Sequence, residues 1–115
     1  MQYLILIYGD EAAAAATPPE AMEAMLGEYW EYTRAIYEEG VNQGGNALQP
    51  SSTAKTIRVG ADGPVVTDGP FPETREQLGG YYLIEAATEE QAIAIAARCP
   101  GARYGAVELR PVWPL

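Results

Sequence analysis

The chain has 115 residues, 48% of them apolar, and its sixteen acidic and seven basic side chains give a formal charge of −9. This content supports one globular domain with its own core and argues against disorder. The acidic balance repels phosphate backbones and the absence of histidine removes Ser-His and Cys-His nucleophile pairs, so neither nucleic-acid binding nor hydrolysis by such pairs is expected.

Residues 2–8, QYLILIY, predict a strand that is apolar on both faces, with Tyr3, Ile5 and Ile7 on one side and Leu4, Leu6 and Tyr8 on the other. GDEAAAAA reads as a loop or a frayed helical turn. Thr17 with Glu20 fits a capping box and Pro18 suits a first helical position, which starts the main helix. Met22, Met25, Leu26, Tyr29, Thr33, Ile36 and Tyr37 recur at helical spacing until Gly40 ends the run. Residues 41–49 are a weak, glycine-interrupted strand, and TAKTIRV and PVVTDG flank GADG as a hairpin. GYYLIEA is the next strand. Thr88 with Gln91 repeats the capping box ahead of EEQAIAIAARC, Pro100-Gly101 stops that second helix, and the last strand runs near Arg103 to Pro111.

The order β-α-β-(hairpin)-β-α-β predicts a single α+β domain over residues 1–115: ferredoxin-like βαββαβ with an extra hairpin, an antiparallel sheet carrying two helices on one face. A first strand apolar on both sides needs cover on the other face too, and a second copy of the chain is the simplest cover, hence a homodimer. No apolar run reaches the roughly 20 residues of a membrane helix, and no signal peptide is visible. The lone Cys99 suits a reducing compartment, so the cytoplasm is the expected location. Zinc sites of His and Cys are excluded; an oxygen-only site stays open, but nothing has EF-hand spacing, so no metal and no other cofactor is expected.

The stretch VTDGPFPETREQLGGYY is more than a hairpin needs. Asp68, Gly69 and Pro70 have a plain structural reading, since Asp bonds its own backbone, Gly permits positive φ and Pro fixes φ. The functional reading rests on the crowding of Thr67, Glu73, Thr74, Arg75 and Glu76 around Asp68. Without histidine, acid–base chemistry falls to Asp, Glu, Tyr, Cys or Lys, and Asp68 at a strand end is the best placed. Arg75 either holds an anionic substrate or pairs with Glu73 or Glu76, the pairing being the plainer reading. The tyrosines, Tyr29, Tyr82 and Tyr104 among them, belong first to core or interface and second to a pocket for a flat ligand. Cys99 at a helix C-terminus reads as packing rather than nucleophile.

DGPFPETREQLGGYYLIEA resembles the signature of the DGPF proteins within the YCII-related group, and the likeness extends to YLILIYGDEAA, ALQPSSTAKTIRV and AARCPGARYGAVELRPV, nearly the whole chain in order. The resemblance implies a dimeric α/β barrel, with Gly69, Pro70 and Phe71 as the hallmark loop. Some relatives accompany extracytoplasmic-function sigma factors, and a few act as dehydrochlorinases or isomerases in aromatic breakdown. The acid–base pair proposed for the group is an Asp, which maps onto Asp68, and a helix His, whose position falls near Tyr29. Tyr104 stands where DGPF relatives often have a second His. A phenol titrating near pH 10 does not replace an imidazole as a base, although it can still donate a hydrogen bond.

The expectation is therefore a small-molecule-binding homodimer with cofactor-independent lyase or isomerase chemistry by proton transfer. Asp68 would be catalytic, and Tyr29, Arg75, Tyr82 and Tyr104 would contact the ligand. The alternative is a non-catalytic accessory protein tied to a sigma-factor-linked regulator or a stress response.

Overall fold

The computed structural model describes residues 1–69 and 75–115; Pro70 and Phe71, expected in the hallmark loop, lie outside them. A four-stranded antiparallel sheet has the order β2-β5-β1-β6, formed by β1 (Gln2–Gly9), β2 (Asn42–Ala47), β5 (Gln77–Glu85) and β6 (Ala106–Pro111). This is the strand order of a ferredoxin-like α+β fold, as expected. β3 (Lys55–Gly60) and β4 (Gly63–Asp68) form a separate two-stranded sheet, inserted between β2 and β5.

β1 is the middle of the domain because its residues satisfy both neighbours at once. Ile5 opposes Tyr82 on β5 and Leu109 on β6, and Tyr3 opposes Ile84 and Pro111. The register slips between Ile7 and Tyr8, so that Ile7 faces Gly80 and Tyr8 faces Leu78, with Gly79 passed over as a bulge. The glycine pair at 79–80 thus re-aims Tyr8 at the sheet's end.

Two long helices cover one face. α2 (Pro19–Glu38) and α3 (Glu89–Ala97) bury Tyr32 and Ile36, and Ala92, Ile95 and Ala96, against Tyr3, Ile5 and Ile84. The alanines let α3 approach closely. Thr88 caps α3 by accepting from the Gln91 amide at 3.1 Å, while the Gln91 side chain accepts from the Ala87 amide at 2.7 Å. Gly40, at φ +77°, ends α2 in a backbone conformation that favours glycine.

Three details differ from the sequence expectation. The alanine run is a true short helix, α1 (Glu11–Ala15), because the Asp10 carboxylate accepts from the amides of Ala12 and Ala13. Thr17 does not cap α2; its hydroxyl turns back to the Ala13 carbonyl at 2.9 Å, and Pro18 stands uncapped at the start of α2. Pro100 opens a further turn, α4 (Gly101–Tyr104), so Arg103 and Tyr104 are helical and the last strand starts only at Ala106. The hairpin, expected as an addition to the βαββαβ order, forms its own two-stranded sheet.

The opposite sheet face carries Leu4, Leu6, Tyr8, Tyr81 and Leu83, all partly exposed. The molecule is only 19 Å thick along its shortest axis, the depth of one helical layer on one sheet.

Candidate functional site

At the end of the sheet where β1 runs out and β5 begins lies an open groove of about 970 Å³, lined by Tyr8, Asp10, Arg75, Glu76, Tyr104 and Glu108 among others. Three separate segments meet here. The bulge at Gly79 sets Tyr8, the N-cap of α1 holds Asp10, and the α4 turn lifts Tyr104 over the start of β6. Arg75 is the groove's only cation among the described residues, facing three carboxylates. Glu108 is ion-paired with Arg110 and accepts weakly, at 3.4 Å, from the Tyr8 hydroxyl. The Tyr104 hydroxyl donates to the Glu28 carboxylate at 3.0 Å, and Arg103 pairs with the same carboxylate, which ties α4 to α2. With its proton committed to Glu28, Tyr104 offers a ligand its ring and an acceptor oxygen.

A second cluster sits behind the first, between α2 and the sheet. The Tyr29 hydroxyl lies beside the Cys99 thiol and 2.7 Å from where a Cβ on Gly101 would stand, so a side chain there would have to displace Tyr29 and Ile7. Thr33 donates to the Tyr29 carbonyl at 2.8 Å, which leaves Tyr82 to donate to Thr33 Oγ1 at 2.7 Å. The Tyr32 and Tyr82 rings meet edge-on at 5.3 Å, and Tyr32 donates to the Ile95 carbonyl at 2.8 Å. Burial raises the phenols of Tyr29, Tyr32 and Tyr82 above their ordinary value, and it likewise raises the Cys99 thiol. These groups are neutral donors at physiological pH.

That neutrality has a consequence for stability. An acid whose folded pKa exceeds its unfolded value stabilises the fold fully below the unfolded pKa and loses that contribution as pH rises. The melting temperature is therefore expected to hold through neutral pH and to fall from about pH 9 upward, as the unfolded Cys99 thiol and then the unfolded tyrosines ionise. Tyr29→Phe should flatten this alkaline loss in a thermal-melt series; an unchanged slope would remove Tyr29 as a contributor.

The expected site residues thus fall into three places. Arg75 and Tyr104 come together in the groove. Tyr29 and Tyr82 come together in the buried cluster. Asp68 lines neither: it ends β4 with its side chain 84% exposed and ion-paired with Lys55 across the hairpin. Gly69 is fixed beside it, its amide donating to the Ala54 carbonyl at 2.7 Å, at φ +85°. Tyr8, Asp10 and Glu108 were not singled out as site residues; the hint available was that Tyr8 ends an apolar run one glycine before the acidic pair Asp10-Glu11. Another, smaller groove of about 540 Å³ follows α2 past Trp30, Arg34, Tyr37 and Asn42. Among the described residues no group of His, Cys, Asp and Glu converges to hold a metal ion, and no helix is long and apolar enough to cross a membrane.

Comparison with known proteins fits this architecture. The chain is 35% identical over 114 residues to an uncharacterized protein of Rhizobium meliloti (strain 1021), covering 97% of this chain and 92% of that one. Among solved structures it resembles the 5-chloro-2-hydroxyhydroquinone dehydrochlorinase of Burkholderia phenoliruptrix AC1100, solved in complex with 2,5-dihydroxybenzoquinone, with a TM-score of 0.53. That likeness covers 98% of this chain and 94% of the other at 13% identity, a shared fold of the dimeric α/β barrel type. The YCII-related domain family matches residues 1–115, and the chain belongs to that family.

Proposed function

We propose that the protein binds a small, flat, hydroxyl-rich molecule in the Tyr8–Arg75–Tyr104 groove and acts on it by cofactor-independent proton transfer. The observation that carries this reading is one groove whose described lining combines an arginine, three carboxylates and two phenols. Carboxylates accept from ligand hydroxyls, the guanidinium holds the one oxygen that becomes anionic, and the rings stack on a planar body. A ring hydroxyl hands its proton to a carboxylate, and the resulting oxyanion rests on Arg75. Collapse of that charge toward the ring then shifts a double bond or expels a leaving group with its bonding electrons. Elimination and isomerisation are the reaction classes that fit. The quinone held by the dehydrochlorinase of the same fold is a ligand of this shape.

Asp68 remains the proposed acid–base residue on the family resemblance. It stands seven positions before Arg75 in the chain, on the same connection between β4 and β5. Hydroxylated and chlorinated hydroquinones are the substrates to screen. Asp68→Asn should cut turnover by about 100-fold or more, in line with loss of a general acid or base, and leave the melting temperature nearly unchanged. Retained turnover would move the role to Glu76 or Glu108.

The open sheet face supports a homodimer with the two sheets packed together. The exposure of Asp68 favours a second reading, an accessory protein that meets a sigma-factor-linked regulator through its acidic surface. Salt-sensitive capture of such a regulator, with no ligand bound at the groove, would select it.

A further inference from the structure

The β3–β4 hairpin is built for contact with something outside its own chain. Register places Ile57 opposite Val66 and Val59 opposite Pro64, so these four share one face. Ile57, Val59 and Val66 are 62%, 79% and 58% exposed. The other face carries Thr56, Arg58, Val65 and Thr67. The hairpin projects: the radius of gyration is 16.1 Å, whereas a compact domain of this length has about 13 Å. A two-stranded ribbon standing alone in water is marginal at best, and an uncovered apolar face on it invites pairing.

Charge points to a second copy as the occupant. The chain carries −9 overall, so two copies repel except where their acids are balanced. Within residues 55–68 Lys55 and Arg58 offset Asp62 and Asp68, and the hairpin is neutral. On the open sheet face Glu108 is paired with Arg110, and Glu85 with the N-terminal ammonium. Two apolar surfaces are neutral in an otherwise acidic molecule, and they belong to connected elements.

Area points the same way. Four strands about 4.8 Å apart and some six residues long give a sheet footprint of about 400 Å². A stable interface needs about 800 Å² per partner, so the sheet face alone falls short. One hairpin face adds about 200 Å², and in a two-fold dimer the surface on which the partner's hairpin lands adds as much again.

We propose that the β3–β4 hairpin is a dimer clasp, its Ile57–Val59–Pro64–Val66 face packing on a second copy of the chain. This rests on the homodimer reading above and goes beyond it by assigning the arm. Sedimentation of the full chain, of I57K/V66K and of Leu6→Arg on the open sheet face separates the two ideas. The arm variant should dimerise at least about 30-fold more weakly with unchanged circular dichroism, the scale of losing central interface residues. Leu6→Arg should yield monomers. Arm variants that dimerise as tightly as the parent would overturn the clasp while leaving the sheet dimer intact. A parent chain that stays monomeric at high concentration would overturn both and hand the arm to another protein. As an independent readout, Val59→Cys carrying an environment-sensitive dye should shift to the blue as concentration rises through dimer formation; Cys99, fully buried, stays unlabelled. A dye that does not shift while dimers form overturns the clasp.

Discussion

Ile84→Ala is expected to cost about 2–5 kcal/mol, the range for deleting a large aliphatic side chain from a well-packed core. Ile84 is fully buried near the C-terminal end of β5, opposite Tyr3, in the same cluster as Ile5 and Ile36. Three features place it toward the upper end. Among the described residues the buried core is small, eleven side chains backed by only a few partly buried ones, so little material is at hand to close over the cavity. Ile84 also pairs with Asn42 at the start of the edge strand β2, so its loss loosens that end of the β2–β5 ladder. Finally, the alanines of α3 cannot swell to fill the space. At about 4 °C per kcal/mol for a domain of this size, the melting temperature should fall by roughly 15–20 °C, read by calorimetry or circular dichroism. A fall of only a few degrees would show that the helices settle onto the sheet as the cavity opens.

Arg75→Ala should weaken binding of 2,5-dihydroxybenzoquinone or a related hydroxyquinone by about 10- to 100-fold, as a charge-assisted hydrogen bond contributes about 1.5–3 kcal/mol. The remaining ionisable groups among the described lining residues are acids and phenols, so nothing else there compensates an oxyanion. Without Arg75 the described lining keeps only the acids Asp10, Glu76 and Glu108 as charged groups, which disfavours an anion there. Because Arg75 is exposed and forms no ion pair with a described residue, the fold should be untouched. Titration calorimetry separates these effects: lost affinity with an unchanged melting temperature supports the groove. Equal affinity in the two proteins would place the ligand elsewhere, and the buried cluster around Tyr29 and Tyr82 would be examined next.

The fold was legible where local chemistry and tertiary demand agree. The double-faced apolarity of QYLILIY is what a central strand requires, and the periodicity of Met22 to Tyr37 survives as α2. The departures arise where one residue type has two good uses. Thr17 satisfies the end of α1 instead of the start of α2, and Pro100 both ends α3 and opens α4. The hairpin's position was hidden because alternation tells which residues share a face, not which sheet the strands join. Arg75 and Tyr104 were both singled out, each on its own account. Their meeting depends on a bulge at Gly79 and a turn at Gly101, neither of which leaves a periodic mark in the sequence. Asp68 stood out for its neighbours in the chain, and in space its partner is Lys55.

The placement of β1 also sets a timetable for the chain during synthesis. Both of its hydrogen-bonding partners, β5 and β6, lie in the last third of the sequence. At ribosomal speeds of about 5–20 residues per second, the nascent QYLILIY segment leaves the exit tunnel several seconds before any native neighbour exists for it. It is an aggregation-prone stretch with low charge and high β-propensity. α2 can coil and the β3–β4 ribbon can close meanwhile, since their contacts are local, but neither covers β1's edges. The sheet therefore closes around β1 only once β5 and β6 have emerged. Through that interval a holdase or the ribosome surface itself is the natural guardian of the first strand.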